Sequence, residues 1–217
     1  MNTLIFSDTH LGNKFDFKKY LYLSSIIERA DRVIINGDFW DAYICSFDEF
    51  IHSKWSQLFP LLKAKHAVYL YGNHDERIWS DTRVNLFSDI QNDSQLLTVG
   101  DNQLFVEHGH RIVPIFPRAG RVVQKIKPVS STFHYWDTIG FRLFQKKFSA
   151  TKKRTHQKLK QWAIQNLSSS QMLVCGHSHC AEYDREYRFV NSGFIGHGLG
   201  QWVSVQGDTI KLIDERY

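Results

Sequence analysis

Apolar positions in the first half of the chain alternate between two kinds of pattern. Residues 2–7 begin by alternating and then run apolar, as a strand packed on both faces does. Phe17, Tyr20, Leu21, Leu23, Ile26, Ile27 and Ala30 follow at helical spacing, with Asp16 in the N-cap position. Residues 31–36 predict a second strand, 47–62 a second helix and 67–71 a third strand. This rhythm belongs to α/β sheets with crossover connections, in which ligands collect where strands end. After residue 93 the rhythm changes. Leu96–Val99 and Gln103–Glu107 predict a hairpin across Gly100-Asp101-Asn102, and Met172–Cys175 another strand. Tyr187–Val190, Trp202–Gln206 and Thr209–Ile213 predict short strands, the last two joined at Gly207-Asp208. Antiparallel pairing near both regions suggests a second sheet, so two sheets face to face with helices outside are expected.

The segment 113–170 has no strand character. Pro114 and Pro117 open it, the basic stretch 118–127 follows, and then comes an aromatic-rich run holding Phe133, Tyr135, Trp136, Phe141, Phe144 and Phe148. A basic helical stretch, 152–165, closes it. The expected organisation is a core of residues 1–112 and 171–217 with a helical cap inserted at 113–170.

Charge sharpens that division. Between Arg111 and Lys160 there are thirteen Lys or Arg against Asp137 alone, a net +12, whereas the whole chain carries +5 and the remainder therefore −7. A mildly acidic body with a strongly basic insert points to an anionic partner. Three cysteines, Cys45, Cys175 and Cys180, make no disulfide framework and fit a reducing compartment. The first strand begins at once, with no basic leader, and no stretch has the apolar length of a spanning helix. A cytoplasmic protein is expected, with peripheral contact at the inner face of the membrane as a further expectation.

Five short blocks carry the chemistry: Asp8-Thr9-His10, Gly37-Asp38-Phe39-Trp40-Asp41, Gly72-Asn73-His74-Asp75, His108-Gly109-His110 and Gly176-His177-Ser178-His179. Each follows a predicted strand. Two cations about 3.5–4 Å apart can clamp a phosphoryl group and stabilise the attacking and leaving oxygens of an in-line displacement. Carboxylate, amide and imidazole donors at strand ends are what such a pair needs. The absence of a thiolate from the set suits manganese, iron or zinc, with Mn²⁺ the first expectation. Asp41 and Asp75 also fit capping or turn roles. His110 fits a residue supporting a metal ligand, a substrate contact or a plain loop residue, and Asn191-Ser192-Gly193 fits a tight turn. His52, His66, His134 and His156 stand outside every block and read as ordinary residues.

In series, the blocks resemble the calcineurin-like metallophosphoesterase superfamily: Asp-x-His, Gly-Asp-x-x-Asp, Gly-Asn-His-Asp/Glu, His, and Gly-His-x-His, over residues 8 to 179. The resemblance implies an α/β fold of two facing mixed β-sheets flanked by helices, a four-layer αββα sandwich with the basic helical cap inserted. It implies Asp8, His10 and His179 on one metal, Asn73, His108 and His177 on the other, and Asp38 bridging them. It further implies attack on phosphorus by a hydroxide shared by the metals. His74 would contact the phosphate and serve the leaving oxygen, with Asp41 orienting it.

The layout is nearest the branch of UDP-2,3-diacylglucosamine diphosphatases, which shelter acyl chains in an insertion at this point. It departs from that branch in having His74 where its members carry Arg, and His110 where they carry Asp. On this reading the substrate is a phosphorylated small molecule or a lipid pyrophosphate, touched by Asn73, His74, His110, Arg118, Arg121 and Trp136. The alternatives are a nuclease or cyclic-nucleotide phosphodiesterase with nucleic acid on the basic insert, and a non-catalytic metal-binding scaffold.

Overall fold

The computed structural model describes residues 1–114 and 145–217, with side chains from residue 152 onward in the second segment. Its first sheet is built on β1 (Asn2–Phe6), β2 (Arg32–Asn36), β3 (Val68–Leu70) and β4 (Ile90–Asn92), all parallel. Three C-terminal strands extend it: β10 (Ile195–Gly196), β11 (Leu199–Gln206) and β12 (Thr209–Arg216). β11 lies antiparallel to β1 on one side and to β12 on the other. The second sheet has the order β5 (Ser94–Val99), β6 (Asn102–Glu107), β7 (Gln171–Cys175), β9 (Phe189–Asn191) and β8 (Glu182–Asp184). Both sheets are mixed, since β6, β7 and β9 run parallel while β5 and β8 are antiparallel to their neighbours.

Period-two alternation within the strands explains the layers. Leu4, Phe6, Val33, Ile35 and Tyr69 point outward under helix α1 (Phe17–Glu28), α2 (Phe47–Ile51) and α3 (Phe59–Ala64), joining Leu23, Ile27, Phe50 and Leu62. Ile5, Ile34, Val68, Leu70, Val203 and Val205 point the other way. They meet Leu97, Leu104, Val106, Val174 and Val190 of the second sheet. That sheet's outer face, through Leu173, Cys175 and Phe189, is covered by Leu159 and Ala163 of helix α4 (Gln145–Asn166). The result is the expected αββα sandwich, with strands that read as continuous apolar runs because both faces are buried.

Two local expectations are corrected. The predicted helix 47–62 is broken: Ser46 and Glu49 form a capping box for α2, Ser53 caps a 3₁₀ turn at Lys54–Leu58, and Pro60 sits in the first turn of α3. The hairpin near the C-terminus does not enter the second sheet. It pairs with the free edge of β1, where Val203 and Val205 complete the inter-sheet layer. For Asp75, the turn role offered beside chemistry is the one its contacts fit, as described below.

Candidate metal centre

All five blocks occupy loops leaving the carboxyl ends of strands: Asp8 and His10 after β1, Asp38 and Asp41 after β2, Asn73 to Asp75 after β3, His108 and His110 after β6, His177 and His179 after β7. Because β1, β2 and β3 are parallel, and β6 and β7 likewise, these loops converge at one end of the sandwich.

The side chains meet there. Asp8 Oδ1 lies 2.9 Å from His179 Nε2 and 3.9 Å from His10 Nε2. Asp38 Oδ2 lies 3.2 Å from His108 Nε2 and 3.9 Å from His10 Nε2, so it stands between the two halves of the cluster. Donor atoms of Asp8, His10 and His179 fall within 4.8 Å of one another, as do those of Asp8, Asp38 and His108. Asn73 Oδ1 is buried and makes no hydrogen bond. His108 gives its Nδ1–H to Asn36 O at 2.8 Å, which turns Nε2 toward the cluster. The His177 ring lies 5.2 Å from that of His108. Its Nε2 contacts Val113 O at 3.1 Å, which leaves Nδ1 as the nitrogen available for a ligand.

The backbone is shaped around this cluster. Asp8, His10, Asp38, His177 and His179 all take positive φ, between 45° and 62°. Each such non-glycine residue costs about 1–3 kcal/mol, and strain of this kind concentrates at functional sites. Two glycines allow the loops to touch. A Cβ on Gly72 would stand 2.1 Å from Asp38 Oδ1, and one on Gly176 would stand 2.2 Å from Asp8 Oδ2.

Electrostatics divides the imidazoles. Burial, helped by His108, lowers His177 to about 3. Burial, helped by the Lys152 ammonium, lowers His179 to about 4, so both rings keep lone pairs available at neutral pH. Against the pull of burial, Asp38 and Asp8 raise His108 to about 10. Likewise Asp41 and Asp38 raise His74 to about 9. Burial would raise Asp8 and Asp38 too, but the neighbouring imidazoles outweigh it and hold both carboxyls below their ordinary range.

The remaining candidates sort by position. Asp41 Oδ2 lies 3.1 Å from His74 Nδ1 and 3.4 Å from His10 Nδ1. Asp75 accepts the backbone N–H groups of Asp38, Phe39 and Gly72 at 3.0, 2.7 and 2.7 Å, which is a turn-holding role. His110 is buried, its ring 5.5 Å from that of His108 and 6.3 Å from that of His177. Arg118, Arg121 and Trp136 lie outside the described residues.

Several neighbours of the cluster were read from the sequence only as turn or ordinary residues, or carried no signal. Asn191 Nδ2 donates to Gly176 O at 2.6 Å and to Ser178 Oγ at 2.9 Å, tying the Gly176–His179 loop to β9. Ser7 Oγ donates to Asp8 Oδ2 at 2.5 Å and meets Ser192 Oγ at 2.8 Å. The Tyr43 ring packs edge-on at 4.7 Å from His74, and its hydroxyl donates to Asn73 O. His156, read as ordinary, contacts Ser178 Oγ at 3.0 Å. The signal for His156 was its place four residues after Lys152 and four before Lys160, on one helix face. Ser7 and Tyr43 carry no comparable signal.

Nitrogen and oxygen donors without a thiolate, a buried unbonded amide oxygen and strained strand-end loops all fit divalent cations. The αββα sandwich and this donor set define a metal-dependent hydrolase of phosphoric esters. The chain belongs to the calcineurin-like phosphoesterase superfamily: the model of that superfamily's domain matches residues 1–205, and the family uses a dinuclear divalent metal centre. No curated protein matches the chain. Among solved structures it is similar to YfcE, a phosphoesterase from E. coli, with TM-score 0.54 and 16% identity over 98% of this chain and 92% of that one. A looser likeness is to wild-type Vps29 of Entamoeba histolytica complexed with zinc, with TM-score 0.48 and 12% identity over 100% and 98%. Among the described residues no helix is long and apolar enough to cross a membrane.

Proposed function

We propose that the protein is a manganese-dependent hydrolase of phosphodiester or pyrophosphate bonds, with a lipid pyrophosphate like UDP-2,3-diacylglucosamine as its substrate. The observation that carries the reading is the convergence of Asp8, His10, Asp38, His108, His177 and His179 on one end of the sandwich beside the unbonded Asn73 amide. Asp8, His10 and His179 would hold one cation and Asn73, His108 and His177 the other, with Asp38 between. Bound there, the cations supply charge for the phosphoryl oxygens and a nucleophile at neutral pH.

The chain's own residues supply the rest. With Nδ1 paired to Asp41, His74 presents Nε2 to the leaving oxygen, and, against the pull of burial, the Asp41 carboxylate favours the protonated ring that can give a proton there. The Tyr43 ring fixes the imidazole plane. Asn73 and His110 are the candidate phosphate contacts at the cluster, and Arg118, Arg121 and Trp136 are candidate substrate contacts from the sequence of the inserted segment. Lys153, Arg154 and Lys158 on the exposed side of α4 support an anionic surface, such as headgroups at the inner face of a membrane.

The test is hydrolysis with Mn²⁺, Fe²⁺ or Zn²⁺ of bis-p-nitrophenyl phosphate, p-nitrophenyl phosphate, UDP-diacylglucosamine and single-stranded nucleic acid. The expected profile has Mn²⁺-stimulated cleavage of the lipid pyrophosphate, with His74→Ala keeping metal and losing turnover. Cleavage of the monoester alone overturns the reading. Salt-sensitive cleavage of nucleic acid without the lipid substrate replaces it with a nuclease.

A further inference from the structure

Helix α4 does more than cover the second sheet. Lys152, His156, Lys160 and Ala163 recur on successive turns, so they share one face. Its lower part is fixed by Leu159 and Ala163 on β7 and β9. Lys160 Nζ bonds Glu182 Oε1 and Asp184 Oδ2, both at 2.7 Å, and His156 pairs with Glu182 through Nε2 while Nδ1 meets Ser178 Oγ at 3.0 Å. Ser178 lies between the two histidines of the last block. The helix is therefore held against the metal-ligand loop itself, and one turn further on Lys152 Nζ stands 2.6 Å from His179 Nδ1.

That position is informative. His179 turns Nε2 toward Asp8 and His10, the atoms of the cluster, and Nδ1 away from them. The Lys152 ammonium thus sits one imidazole width beyond the donors that would grip the scissile phosphoryl. A cation at this remove serves an anion adjoining the reacting group better than it serves the reacting group.

We propose that Lys152 is a specificity-determining contact, delivered by α4, that binds the second phosphoryl group of a diphosphate diester. The inference rests on the phosphoesterase reading above and narrows it. The enzyme discriminates between substrates with one phosphoryl and substrates with two, and Lys152 supplies much of the difference. His156 and Lys160 act through Lys152 by holding the helix in register.

The experiment compares kcat/KM with Mn²⁺ for a diphosphate diester (UDP-glucose and UDP-diacylglucosamine) and for bis-p-nitrophenyl phosphate, in wild type, Lys152→Gln and Lys152→Arg. Loss of one charge-assisted hydrogen bond should lower the diphosphate-to-diester ratio by about tenfold or more in Lys152→Gln, chiefly through KM. Lys152→Arg should recover most of it, with manganese content equal in all three proteins. A ratio unchanged in Lys152→Gln, or a wild type that cleaves the diester and neither diphosphate, overturns the proposal while leaving the phosphoesterase reading intact. A wild type that cleaves none of the three removes both.

Discussion

Asp75 offers the sharpest test of how the site is held. Its carboxylate is fully buried, with Oδ1 receiving Asp38 N–H at 3.0 Å and Gly72 N–H at 2.7 Å, and Oδ2 receiving Phe39 N–H at 2.7 Å. It therefore fastens the β3 loop to the β2 loop at the residue between the two halves of the cluster. Asp75→Ala leaves three buried donors unpaired, at about 1–3 kcal/mol each. Part of that returns, because burial and the Asp38 charge already push Asp75 up to about 6, so removing the carboxylate relieves repulsion. The net destabilisation expected is about 3 kcal/mol, a large share of the ~5–15 kcal/mol that holds a domain together. Asp75→Asn keeps an acceptor for Asp38 and Gly72 but turns an amide N–H toward that of Phe39, so about 1–2 kcal/mol is expected. Urea denaturation in chelator gives the order, and Mn²⁺ titration should show weakened binding in both variants. If Asp75→Ala stays within about 0.5 kcal/mol of wild type, the clamp is not there. If it keeps stability but loses metal, Asp75 is a ligand and the assignment is wrong.

Two further outcomes follow from the same geometry. Gly72→Ala places a methyl 2.1 Å from Asp38 Oδ1 and 2.4 Å from its backbone nitrogen, so it should cost about 1–3 kcal/mol and lose Mn²⁺ binding, read by denaturation and calorimetry. Metal binding should also release a proton. His108, raised to about 10, holds its Nε2 proton at pH 7 while Asn36 keeps Nδ1–H in place, and a cation must displace the former. Apparent Mn²⁺ affinity should tighten from pH 6 to pH 9, roughly tenfold per unit for each proton displaced. Calorimetry in two buffers of different ionisation enthalpy measures the release, and a count of zero refutes it.

Much of this centre was legible in the chain because each block lies within one loop. Asp8 and His10, or His177 and His179, are two residues apart at a strand end, so short spacing already implies shared placement. The order of the layers was legible for a related reason: runs such as Val33-Ile34-Ile35 bury both faces, and alternation assigns Ile34 to the inner one. What escaped depends on long-range encounters without local signature. Nothing near Thr209 distinguishes a hairpin that joins the second sheet from one that joins β1; the choice is made by the empty edge of β1, some two hundred residues earlier. For Asp75 a turn role was legible but its reach was not, since N–H acceptances from a second loop are invisible in the tetrapeptide Gly72-Asn73-His74-Asp75. His156 shows the opposite failure. Its i−4 and i+4 neighbours, Lys152 and Lys160, marked a helix face with buried polar work to do, and the face was read as merely basic. Where that face is buried it has no solvent to hold its charges, so each group finds a partner in the protein: Glu182 and Asp184 for Lys160, and Glu182 and Ser178 for His156. His156 and Lys152 reach the ligand loop itself, at Ser178 and His179, so the helix cannot shift without moving that loop. Displacing α4 would therefore disturb His177 and His179 through the loop that carries them.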